Sequence, residues 1–205
     1  MKAFLLSALS SLLVVFSVTA QSTTTAAAKW EVKEGNVMTY GVKSGGKAYD
    51  FIVTVKSFDA LGAEAIVFDW KMTEPINKTG TIKISQEAAN NSNAFYNWFA
   101  NGEKKLDAET SVFIGFMLSL EMTITPKDDV VKIRVDGASG TAEEFTMIDD
   151  NHQYSFTENG VTKKLKTLLL KNQSNGKTVT IYNEGTHPFI VAMSIGFEIA
   201  LKSVK

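Results

Sequence analysis

The 205-residue chain contains no cysteine, only two histidines and a single arginine, Arg134. Without thiols there are no disulfides, no cysteine nucleophile, no thiolate zinc site and no iron–sulfur cluster. With His152 and His187 as the sole imidazoles, a histidine-assisted serine hydrolase has two places to recruit its base. The chain has no Gly-x-Ser-x-Gly elbow to go with either, and Gly137-Ala138-Ser139-Gly140 lacks that spacing and reads as a loop. One arginine leaves few bidentate clamps for phosphate or carboxylate, a scarcity that a low-GC genome also produces. The formal net charge of −1, with no basic excess, argues against nucleic acid as a partner.

Long apolar runs are also scarce beyond the first 20 residues. Met1-Lys2 forms a short positive start, Ala3 to Val18 is apolar, and Val18 and Ala20 are small, which together read as a secretory signal peptide cut before Gln21. The run is shorter than the roughly 20 residues a spanning helix needs, and Gln21 rather than cysteine follows the cut, so the expected product is exported and is not a lipoprotein. Removing the first 20 residues leaves 185, and removing Lys2 with them leaves 20 basic against 22 acidic side chains. A chain of that length buries a core without disulfide staples. The expected layout is a signal peptide over 1–20, a flexible segment over 21–29 and one β-rich domain over 30–205.

What is abundant is alternation. Phe51, Val53 and Val55 alternate with Asp50, Thr54 and Lys56, and Ile66, Phe68, Trp70 and Met72 alternate with Val67, Asp69 and Lys71. A period of two predicts strands with one dry face. Strands are expected over 37–43, 48–56, 63–73 and 80–85, and again over 130–135, 143–148, 153–157, 161–170, 178–182, 189–193 and 197–204. Ser44-Gly45-Gly46, Asn159-Gly160, Asn175-Gly176 and Glu184-Gly185 supply turns between them, Asn159-Gly160 being the favoured hairpin pair. Such short loops have no room for crossover helices, so neighbouring strands are expected to be antiparallel. Between Gln86 and Gly102 the spacing of Ala88, Ala89, Phe95, Trp98 and Phe99 suggests a short helix. Val112 to Met122 is almost wholly apolar and suits a buried helix or strand, the helix being favoured with Thr110 or Ser111 as its cap. The expected fold is therefore mainly β: a large curved antiparallel sheet, half-barrel or sandwich-like, with one or two short helices packed on its concave face.

The stretch Ala94-Phe95-Tyr96-Asn97-Trp98-Phe99 with Gly102-Glu103, then Thr110-Ser111-Val112, resembles an uncharacterised family of secreted Bacteroidetes proteins. So does the ending Pro188 to Met193 with Gly196-Phe197 and Leu201-Lys202-Ser203-Val204. The family is similar to domain-of-unknown-function group 3108, and the resemblance implies a curved sheet like that of periplasmic lipoprotein carriers. It covers packing and turn residues and implies no active site.

Chemistry-bearing clusters are few. Asp149-Asp150-Asn151-His152 offers hard oxygens and an imidazole, but it lies between two expected strands where Asp and Asn are ordinary turn formers. His187-Pro188 sits likewise at a strand entry. Asp128-Asp129 and Glu143-Glu144 read as solvated loop charges, because a glycosidase needs two carboxylates facing across a cleft. Trp70 and Trp98, the candidates for sugar stacking, fall on apolar faces and are expected in the core. Asn77, Asn90 and Asn172 each begin an Asn-x-Ser/Thr triplet and mark expected surface.

The leading expectation is an exported, non-catalytic binding or carrier module for an apolar, lipid-like ligand of the bacterial envelope, with no cofactor and no metal. Val112, Phe113, Phe116, Met117 and Leu120 are expected to line or gate its concavity, and a charge at Phe116 to abolish binding. The alternatives are an envelope protein with an interaction surface and no pocket, and a hydrolase using Asp149 to His152.

Overall fold

Alternating β-branched and aromatic residues build almost the whole molecule, and in the computed structural model, which describes residues 29–205, all the strands join one sheet. Residues 1–28, on which the expected signal peptide and most of the expected flexible segment fall, lie outside the described residues. Strands β1 (Val37–Ser44), β2 (Lys47–Phe58), β3 (Glu64–Met72) and β4 (Lys78–Ser85) form an antiparallel meander. Helix α1 (Gln86–Asn91) follows at once, because Ser85 ends the strand and its Oγ accepts the Ala88 amide at 3.2 Å. Next come β5 (Gly102–Leu106), helix α2 (Phe116–Ile124), β6 (Val130–Ile133), β7 (Glu143–Glu158) and β8 (Val161–Lys171). β9 (Thr178–Tyr182), β10 (Phe189–Ser194) and β11 (Glu198–Val204) complete the chain.

The 11 strands run in the order β5-β4-β3-β2-β1-β11-β10-β9-β8-β7-β6. Two pairings depart from the antiparallel rule. β5, which alternation did not flag, lies parallel to β4, with Gly80 opposite Gly102 and Ile84 opposite Leu106; the connection through α1 and the 92–101 loop is long enough to return the chain. At the other end, Thr157 and Glu158 of β7 pair in parallel with Ser203 and Val204 of β11. That contact closes β7 through β11 into a ring of five strands, while β1 to β5 continue from β11 as a curled wall.

The ring depends on one long bent strand. Residues 143–148 and 153–157, expected as two strands, are a single β7, and Asp149 to His152 is no turn. Between Met147 opposite Leu170 and His152 opposite Thr167, β7 spends five residues while β8 spends three. The surplus bulges out, bends the strand and lets its two halves serve two different cores.

Those cores lie on opposite faces of β8 to β10. Leu165, Tyr182, Phe189 and Val191 join one cluster with Phe51, Phe68, Trp70 and the other inward residues of β1 to β4. Leu170, Val179, Ile181 and Ile190 join a second with Phe145 and Met147 of β7, Val131 and Ile133 of β6, and Leu118 and Met122 of α2. Successive strand residues point to opposite sides, so a strand dry on both faces reads as a continuous apolar run, as Phe189 to Met193 does. Trp30 plugs one end of the ring, edge-on to Phe156 and Phe189, with its Nε1 donating to Glu158 at 2.6 Å.

Both helical expectations need correction. The helix after Gln86 stops at Asn91, and Ala94 to Tyr96 are extended, bridged to Arg134 and Thr110 by backbone hydrogen bonds. Val112 to Ile114 is also extended and pairs with the start of β10; α2 begins at Phe116 after Gly115, and no side chain caps it. Thr110 and Ser111 are buried short of the helix. α2 packs on the second core through Leu118 and Met122, and Asn183 at the end of β9 fastens it, accepting from Ser119 Oγ at 2.6 Å and donating to Thr123 Oγ1 at 2.9 Å.

Candidate functional site

The interior opens where β10 and β11 part. They pair only over Ala192–Ser194 and Glu198–Ala200. Beyond that point β10 turns to residues 112–114, with the Ile190 amide donating to Val112 O at 2.8 Å and the Ile114 amide to Pro188 O at 3.0 Å. β11 instead stays with β1 and reaches the tip of β7. Tyr40 of β1 spans the fork, its buried hydroxyl donating to Ile190 O at 3.0 Å.

A cavity of about 680 Å³ sits against this fork. Tyr40, Val42, Phe51 and Val112 come from the first core and Ile190, Met193 and Ile195 from the second, while Phe197 and Ile199 touch both, so the cavity follows the seam between the cores. Tyr49, Met72, Ile76 and Phe99 extend the walls, and Phe99 packs on Phe51 with its ring tilted by 53° and 4.7 Å between ring centres. The rim is made by the β1–β2 turn at Ser44, the β3–β4 turn up to Lys78, the β10–β11 turn at Gly196, and Asn97, Trp98 and Asp136. Ser111 adds a buried hydroxyl, already engaged with Tyr96 O at 3.0 Å. Burial pushes the Tyr40 and Tyr49 phenols above their ordinary range, so both present neutral hydroxyls at neutral pH. The cavity thus has an apolar floor and a polar rim, and nothing in it resembles a nucleophile with its base.

The residues expected to line a concavity divide. Val112 does line the cavity. Phe113 is fully buried in the first core, edge-on to Phe58 and Phe68. Phe116, Met117 and Leu120 lie on the outer face of α2 and do not line the cavity; Phe116 is 60% exposed, and Ile124 one turn beyond Leu120 is 72% exposed. They form an apolar stripe facing outward. Sequence reasoning missed most of the true lining, because those residues belong to ordinary alternating strands and only the divergence of β10 from β11 gives them a space to face.

Trp70 is in the core as expected, whereas Trp98 is 71% exposed at the cavity rim. The Trp70 indole nitrogen is buried and has no hydrogen-bond partner. His152 lies 3.7 Å from Asp149 across the β7 bulge, and among the described residues no three His, Asp or Glu side chains converge as a metal site. His187 stacks flat on Phe58 at 3.6 Å, and burial lowers its pKa against the pull of Glu31. Glu143 binds Lys177, Asn172 and Asn175, which ties the β8–β9 turn to β7; burial opposes its charge, but those three contacts outweigh it and hold its carboxyl below the usual range. The Asn172 side chain is buried in that network although Gln173 and Ser174 beside it are exposed; Asn77 and Asn90 are exposed.

Comparison with protein-family models, curated proteins and solved structures found no match to this chain. What the cavity does is therefore read from its own residues. Among the described residues no helix is long and apolar enough to cross a membrane.

Proposed function

We propose that the protein is an exported binding or carrier module whose seam cavity holds an apolar or amphipathic small molecule. The observation that supports this best is the cavity's composition: about 680 Å³ walled by aromatic and aliphatic side chains from two cores, with charge only at the rim. That volume falls within the roughly 300–1,000 Å³ common for small-molecule sites, and apolar walls with a few polar groups are their usual character. Export to the bacterial envelope is part of the same proposal and stands on Met1 to Ala20. Kinship with the group 3108 proteins is likewise proposed, from the segments around Trp98 and Phe189.

The outward stripe of α2 favours a second reading, an envelope protein that docks another macromolecule through Phe116, Met117, Leu120 and Ile124. Exposed apolar residues contiguous on a helix face mark such surfaces. Two variants separate the readings. Ile199→Trp fills the cavity from its wall and is expected to abolish uptake of a long-chain fluorescent fatty-acid probe, whereas Phe116→Asp leaves uptake unchanged. Uptake insensitive to Ile199→Trp and lost in Phe116→Asp would transfer the function to α2.

A further inference from the structure

The rim is chemically asymmetric around one residue. Trp98 is exposed, although tryptophan is normally well buried. The loop that carries it is fastened on both sides: the Asn97 side-chain amide donates to Val135 O, next to Asp136, and Lys78 Nζ donates to Phe99 O at 3.4 Å. The first contact ties the loop to the residue before Asp136 and the second ties it to Lys78 itself, and the side chains of Trp98, Asp136 and Lys78 all line the cavity and are exposed. Among the described residues neither Lys78 nor Asp136 has an oppositely charged partner within 4.0 Å.

We propose that the cavity takes a single-chain zwitterionic amphiphile, its chain against the apolar floor and its head at the rim, the cationic group on Trp98 and Asp136 and the anionic group on Lys78. This rests on the cavity being a ligand site. An indole face attracts an ammonium through its quadrupole, and a neighbouring carboxylate adds to that attraction, so Trp98 and Asp136 together form a cation subsite. A purely anionic head meets Lys78 but also the Asp136 charge, and an uncharged head uses neither. One chain suits a single cavity of about 680 Å³.

The test is calorimetric titration of the purified protein with three probes of equal chain length, each below its micelle concentration: a lysophosphatidylethanolamine, a fatty acid and a fatty alcohol. The zwitterion is expected to bind tightest. Asp136→Asn and Trp98→Ala are each expected to weaken the zwitterion by about three- to fivefold, the scale of one exposed ion pair or cation–π contact, and to leave the alcohol unchanged. Lys78→Met is expected to weaken zwitterion and acid alike. Equal affinity for all three probes, or an Asp136→Asn variant that binds the zwitterion normally, overturns the headgroup assignment while leaving the cavity reading intact. Binding of none of the three overturns both. All three substitutions are at exposed positions, so circular dichroism spectra matching the parent protein confirm that the changes are local.

Discussion

Trp98 and Trp70 carry the same sequence signal, an aromatic on an apolar face, and end in opposite places. Trp70 alternates with Phe68 and Met72 along a regular strand, so its burial is legible from period alone. Trp98 follows a segment whose backbone is spent on pairing with Thr110 and Arg134, and only those long-range hydrogen bonds decide that its side chain stands at the rim. Gly80 shows the same limit. A Cβ there would run into the Gly102 carbonyl and the Trp70 ring, a requirement created by the parallel β4–β5 pairing that alternation does not announce. His187 gives a pH signature. Its folded-state pKa lies below the ordinary value of 6.5, so as pH falls the unfolded chain takes up the proton first. Stability from this residue is therefore full above about pH 6.5 and declines below it until the buried ring is protonated as well. Urea midpoints measured from pH 7.5 to 5 are expected to fall less steeply in His187→Phe, which keeps the stack on Phe58, than in the parent protein.

At the scale of elements, most strands were legible because one face of each is dry, and Asn159-Gly160 did form the expected turn, with both residues at positive φ. The helices were harder. Val112 to Met122 is almost wholly apolar, and its division at Gly115 into a strand-like half and a helix is decided by β10, which takes Val112 to Ile114 as a pairing partner. β7 was misread for a local reason: Asp149 to His152 has the composition of a turn, and in this chain it is the surplus of a bulge. The tip of β7 then carries the closure of the ring, where Phe156 packs against Trp30 and the Asn159 amide donates to Val204 O at 3.1 Å. Phe156→Ala is expected to cost about 3–5 kcal/mol of stability, read from chemical denaturation. Its amide exchange should quicken first at Asn159 and along the β7–β11 contact, ahead of the β2–β3 ladder; uniform acceleration would mean that the ring has no separate stability.

For the whole molecule, the central feature is that one sheet serves two cores. Strands β9 and β10 are dry on both faces, and the divergence of β10 from β11 leaves space where the cores meet. A filled core and an open pocket look identical in sequence, since the same alternating residues line both. The difference lies in how early β10 parts from β11, at a fork bridged by the Tyr40 hydroxyl, 150 residues away in sequence from the Ile190 carbonyl it reaches. The most direct test of the account is native mass spectrometry of the protein purified gently from its own host, followed by organic extraction of whatever remains bound. The account predicts one adduct per chain in the mass range of a single-chain lipid, absent from the Ile199→Trp variant. A clean apo mass, repeated from a lipid-rich preparation, would contradict it and assign the function to the outer face of α2.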